Sequence, residues 1–153
     1  MDTANPAIFV QRDRDRFDRP VQFLNGRFDT KLSTDDSGGK IFIIDTVRSG
    51  HGGPPLHYHH EQDEWFLVQE GNFRFQIGEA SYELGPGDCL LGPKGVPHAF
   101  LNLTSAARLL VAFMPAGSME AFFAHAMLDP RSEEFRALSR KHGMEVVGPP
   151  LSL

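Results

Sequence analysis

Turn-forming residues punctuate the middle of this chain: Gly38-Gly39, Gly50, Gly52-Gly53-Pro54-Pro55, Gly71, Gly78, Gly85-Pro86-Gly87, Gly92-Pro93 and Gly95. Interruptions that frequent leave little room for a helical core, since globular helices need about 8–20 uninterrupted residues. What lies between them reads as strand. Phe73-Arg74-Phe75-Gln76-Ile77 alternates apolar and polar residues, which puts the odd positions on one face. Ile41 to Val47 and Arg108 to Phe113 are nearly continuous apolar runs with β-branched or leucine content, the texture of buried strands. The expected fold is all-β, an antiparallel double-sheet barrel over residues 21–114.

The flanks differ. Residues 1–20 read as an N-terminal arm whose charged stretch, Gln11 to Arg16, interleaves arginine with aspartate and largely cancels itself, as a solvated face does. Residues 115–153 read as a helical extension of two short helices. In the first, Met119, Phe122, Phe123, Ala126 and Met127 recur at helical spacing along one face. In the second, Asp129-Pro130 offers a cap and a first-turn proline, Phe135 and Leu138 serve as anchors, and Gly143 marks the stop. The helices are expected to cover barrel surface or one barrel mouth.

Composition excludes some functions. A net charge of −5 gives no general attraction to phosphate backbones or anionic membranes, so neither nucleic acid nor membrane is an expected partner. The longest plainly apolar run, Leu109 to Met114, is six residues, which argues against a transmembrane helix or a signal peptide. The single cysteine, Cys89, has no internal partner and reads as a small buried hydrophobe in a cytoplasmic protein. Barrel edges need covering, and the apolar Ala7-Ile8-Phe9-Val10 could add to a neighbour's sheet or cover its own barrel. A homodimer is expected on that ground.

The chemistry lies in two stretches. His57 and His59 are two apart on a strand, so both imidazoles point to one side. After the polar stretch His60 to Asp63, Glu64 opens the apolar strand Trp65-Phe66-Leu67-Val68, where a buried carboxylate needs a partner. Downstream, Gly87, Pro93, Gly95, His98 and Asn102 punctuate a further strand pair.

These residues resemble the cupin superfamily. Its first motif, His-x-His, four residues, Glu, six residues, Gly, is met by His57, His59, Glu64 and Gly71. Its second, Gly, five residues, Pro-x-Gly, two residues, His, three residues, Asn, is met by Gly87, Pro93, Gly95, His98 and Asn102. At roughly 5% per named residue, five fixed matches arise by chance about once in several million registers, so the second motif alone discriminates. One departure stands out: His51 replaces the glycine expected six residues before His57.

The resemblance implies a jelly-roll barrel holding one divalent transition metal on His57, His59, Glu64 and His98, with iron, manganese, nickel, cobalt, copper and zinc all compatible. Among small single-domain cupins, Pro54 to Phe66 and Pro115-Ala116-Gly117 look most like the quercetin dioxygenase type. That implies a small-molecule ligand and a catalytic Glu64 that both binds the metal and accepts a substrate proton. Phe66, Phe73, Phe75 and Phe100 are expected to wall the pocket, while Asn102 ties down a turn. His51 and His60 read as bystanders, His60 having the wrong strand parity, and His125 and His142 belong to the helices. The alternatives are a non-enzymatic binding module and a metal-dependent isomerase, for which Lys94 and Arg108 are the nearby basic residues.

Overall fold

The computed structural model describes residues 6–153. In chain order it contains β1 (Val21–Phe23), β2 (Gly26–Leu32), β3 (Phe42–Ser49), β4 (Pro55–His59), β5 (Asp63–Glu70) and β6 (Phe73–Ile77). There follow β7 (Ala80–Leu84), β8 (Cys89–Gly92), β9 (His98–Asn102), β10 (Ala106–Met114), α1 (Met119–His125), α2 (Glu133–Lys141) and β11 (Met144–Pro150). Six strands form one sheet in the order β1-β2-β3-β10-β5-β8, and five form the other in the order β11-β4-β9-β6-β7. Every pairing is antiparallel. The fold is a two-sheet jelly roll carrying two helices.

Alternation decides what enters the barrel. On β3, Phe42, Ile44, Thr46 and Arg48 are all buried, in phase with one another. Across from them, Leu109, Val111 and Phe113 of β10 fill the same space. Gly71 turns β5 into β6 at φ 74°, and a Cβ there would stand 2.7 Å from the Ala106 carbonyl oxygen, so glycine is required twice over.

Three features differ from the sequence reading. Residues 144–150 form β11, an edge strand that pairs with β4 and so extends the sheet carrying His57, His59 and His98. Gly148-Pro149-Pro150 disguises it, yet prolines are tolerated on an edge. The second helix starts at Ser132, whose hydroxyl accepts from the Phe135 amide, while Asp129 closes a turn before it. The first helix ends at His125, so Met127 leaves the apolar face and is 69% exposed.

The arm also behaves differently. Asp13 accepts from Arg108 and Arg27, Arg16 donates to Asp36, and the Asp15 carboxylate accepts from the Phe17, Arg19 and Thr30 amides. Residues 12–19 are thereby fastened to the outside of the six-stranded sheet. Further out, Phe9 is 84% exposed, so it does not cover its own barrel. Cys89 is exposed on the edge strand β8, because its side chain alternates with the partly buried Leu90 and falls outside.

Candidate metal centre

Both sheets contribute to one cluster. β4 presents His57 and His59, β5 presents Glu64, and β9 presents His98 directly opposite His57 in register. One ligand atom from each of these four lies within 4.8 Å of all the others. His59, Glu64 and His98 are buried, and His57 lines an internal cavity. The local reason is parity: β4 and β9 each face one side inward, and Pro93 to Pro97 turns the chain so that His98 begins its strand at the level of His57.

Hydrogen bonding aims the rings. The Nδ1 of His57 lies 2.7 Å from the Pro55 carbonyl and that of His98 lies 3.1 Å from the Val96 carbonyl. A nitrogen facing a carbonyl must carry the proton, which leaves Nε2 as the coordinating atom on each ring. Such backbone acceptors behind histidines are a regular feature of metal-ligating imidazoles. Glu64 Oε2 stands 2.9 Å from His59 Nε2 and 2.7 Å from His98 Nε2. His59 Nδ1 is buried and has no partner among the described residues.

The electrostatics follow. Burial pushes His57 down to about 3, reinforced by the charges of His98 and His59. Burial also opposes charge on His98, but the Glu64 carboxylate outweighs it and raises the imidazole. For Glu64, burial alone would raise the carboxyl; the His98 charge and the hydrogen bonds from His59 and His98 hold it well below the usual carboxylate range. Three nitrogens and a carboxylate converging on one point form a borderline-soft donor set that suits a divalent first-row metal. The residues fit such an ion.

Beside the cluster is a cavity of about 50 Å³. Seven phenylalanines line it, with polar groups supplied only by His57, His59, Glu64 and Ser139. Its wall differs from expectation. Phe100 takes part, but Phe66, Phe73 and Phe75 are fully buried and fill the barrel elsewhere. Phe122 and Phe123 of α1 and Phe135 of α2 close the cavity, so the helices cap it. Neither Lys94 nor Arg108 lines it: Lys94 is exposed, and Arg108 is buried against Asp45. Asn102 donates to the Gly50 and Thr104 carbonyls and so ties a turn. His51 Nδ1 meets the Asn102 carbonyl 2.9 Å away, outside the cluster, and His60 is exposed. One interior residue escaped the sequence reading although strand parity marks it: Arg48, two residues beyond Thr46 on the inward face of β3.

A two-sheet barrel with a histidine and carboxylate cluster on its inner face defines a β-barrel protein able to hold a metal. The family model described as a cupin domain matches residues 44–113, which span β3 to β10. Over those residues the chain is similar to the cupin domain family. It is 31% identical over 91 residues to quercetin 2,3-dioxygenase of Bacillus subtilis, a match covering 58% of this chain and 27% of the other. The chain spans 27% and 56% of the lengths of two curated relatives that it matches. Among solved structures, KdgF from a Halomonas species superposes with a TM-score of 0.61 at 17% identity, covering 72% of this chain and 94% of that one. The polyketide cyclase RemF from Streptomyces resistomycificus superposes with a TM-score of 0.55 at 21% identity, covering 69% and 80%. At these identities the superpositions report the fold.

Proposed function

We propose that the chain binds one divalent transition metal through His57, His59, Glu64 and His98 and oxygenates a compact enediol or hydroxy-ketone. The observation that carries this reading is the convergence of three imidazoles and one carboxylate at the polar end of an otherwise apolar cavity. The similarity to quercetin 2,3-dioxygenase supports the oxygenase class. A metal held there supplies Lewis acidity and open positions for a substrate's adjacent oxygens.

The chain's own residues supply the rest. Backbone carbonyls of Pro55 and Val96 keep the rings of His57 and His98 oriented. The phenylalanine wall excludes water, which strengthens every charge interaction at the polar end. Glu64 would take the substrate's hydroxyl proton. In the metal-free cluster it is a poor base because two imidazoles donate to it, and neutral imidazoles engaged with an ion would release it for that work.

Cavity size narrows the substrate. At about 50 Å³ the space is a third of the roughly 150 Å³ in which an apolar cavity takes up benzene. A three-ring flavonol therefore enters only if α1 and α2 move aside, and compact ligands are favoured. The isomerase reading loses its basic residues, since Lys94 and Arg108 lie off the cavity. The binding-module reading keeps one observation in its favour: Ser139, the only other polar side chain on the wall, already donates to the Phe135 carbonyl.

The test is oxygen uptake by protein loaded in turn with each metal, against quercetin and a panel of small enediols. Glu64→Gln is expected to keep much of its metal and to lose turnover by about 10²–10⁴-fold, the worth of a general base. No uptake by any loaded form, with a small molecule still bound, would replace the oxygenase with a binding module.

A further inference from the structure

Arg48 is a guanidinium inside the barrel, 2% exposed, with no carboxylate within ion-pairing distance among the described residues. It donates to the Leu24 carbonyl and, at 2.8 Å, to the Gly52 carbonyl; Thr46 Oγ1 is 3.5 Å away, at the limit of a hydrogen bond. Its Nε is buried and has no partner among the described residues. The guanidinium carbon is 5.9 Å from the Phe28 ring centre and 5.8 Å from that of Phe100, and both rings line the cavity, as does Leu24. Arg48 thus lies immediately behind the cavity wall formed by those three residues, whereas Glu64, His57 and His59 mark the cavity's polar part.

Two carbonyl acceptors and two aromatic faces explain a donor here, but not a full charge. Burial lowers the guanidinium to about 10, so it remains cationic at neutral pH. Arg108 gives the measure of what a buried arginine in this protein ordinarily has, a bidentate aspartate. With a divalent ion on the cluster, the barrel interior would hold that ion, Arg48 and one carboxylate, an excess of positive charge inside apolar walls. Buried charge without a counter-charge is unfavourable, and guanidinium has a planar donor edge suited to carboxylates.

We propose that Arg48 recognises an acidic group on the ligand, so that the substrate is an anion with metal-directed oxygens at one end and a carboxylate at the other. This rests on the metal-binding reading above and adds the substrate's charge to it. The Phe28 and Phe100 side chains must part for the carboxylate to reach Nε.

The probes are dicarboxylic acids of increasing chain length carrying a hydroxamate at one end as a generic chelator, each paired with its isosteric amide in place of the free carboxylate. Calorimetric titration into Co(II)-loaded protein should show, for at least one chain length, the acid binding tighter than its amide by about tenfold or more, as expected for a hydrogen bond to a charged group. Arg48→Met should abolish that preference while leaving cobalt content unchanged, and Arg48→Lys should retain part of it. If Arg48→Met does not fold, the acid-to-amide ratio in the unmodified protein and in Arg48→Lys decides. Equal binding of acid and amide at every length, or an undiminished preference in Arg48→Met, overturns the proposal and leaves the metal reading intact. Failure of the protein to take up cobalt overturns both; uptake of cobalt with neither probe type binding overturns the Arg48 proposal alone. A clear acid preference without any oxygenase activity supports the role of Arg48 and removes the oxygenase.

Discussion

Two clusters of buried charge share the six-stranded sheet and have opposite characters. On its outer side, Arg108 of β10 grips Asp45 of β3 through Nε and Nη2, at 2.6 Å for the shorter contact, with Gln69 adding a further donor to Asp45 and the arm residue Asp13 capping Nη1. Charges balance, and Asp45 is met by donors on both oxygens. On the inner side, Glu64 faces two imidazoles at once, His57 is pushed toward neutrality, and His59 has a ring nitrogen without a partner among the described residues. The outer cluster is complete within the chain; the inner one presents four donors to a common point that could hold a metal ion. A charge cluster built for stability closes on itself, and one built for binding leaves its lone pairs converging.

If that contrast is right, damage to the two clusters should read out differently. Asp45→Ala leaves Arg108 buried with only the half-exposed Asp13, and urea unfolding should show a loss of about 3–5 kcal/mol. Metal binding should be unaffected in that variant, as measured by elemental analysis after reconstitution. His98→Ala should do the reverse, stripping most of the metal. In the unmodified chain, added metal at about a thousand times its dissociation constant should raise stability by about 4 kcal/mol, and His98→Ala should lose that increment.

The pH profiles should separate the clusters further. In metal-free protein, His98 is raised, so its stabilisation is present below the ordinary histidine value and lost as pH rises through the folded value. His57 is lowered to about 3, so below the ordinary histidine value the unfolded chain takes up a proton that the fold refuses, and stability falls as pH drops. Urea midpoints with chelator present should therefore peak near about pH 6.5, and His57→Gln should flatten the acid side. Metal uptake should weaken steadily toward acid, because protons compete for the same nitrogens. The smallest effect belongs to Asp13→Asn on the outer side: with 56% of its side chain exposed, it should shift the urea midpoint by only a fraction of the Asp45→Ala change.

The inner cluster was largely legible from the chain alone, and the outer one was not. His57, His59, Glu64 and His98 sit at spacings that strand parity turns into a common direction, with glycine and proline fixing the turns between them. Those are local rules, acting over a few residues, and they survive without coordinates. Asp13 and Arg108, by contrast, are separated by 95 positions, and nothing in Gln11 to Arg16 announces that its charges pair with a sheet. The same holds for β11, whose prolines read as a tail until an open sheet edge at β4 supplies its partner. The cavity wall is a third case: period-two alternation made Phe66, Phe73 and Phe75 inward-facing, as they are, but which inward residues meet a void depends on how the two sheets and α1 pack. Local sequence determined element type, facing and the metal-directed donors, because backbone sterics and strand periodicity act between neighbours. Tertiary structure decided the pairing of distant charges, the extra edge strand and the isolation of Arg48, because each depends on contacts between segments that sequence order leaves far apart.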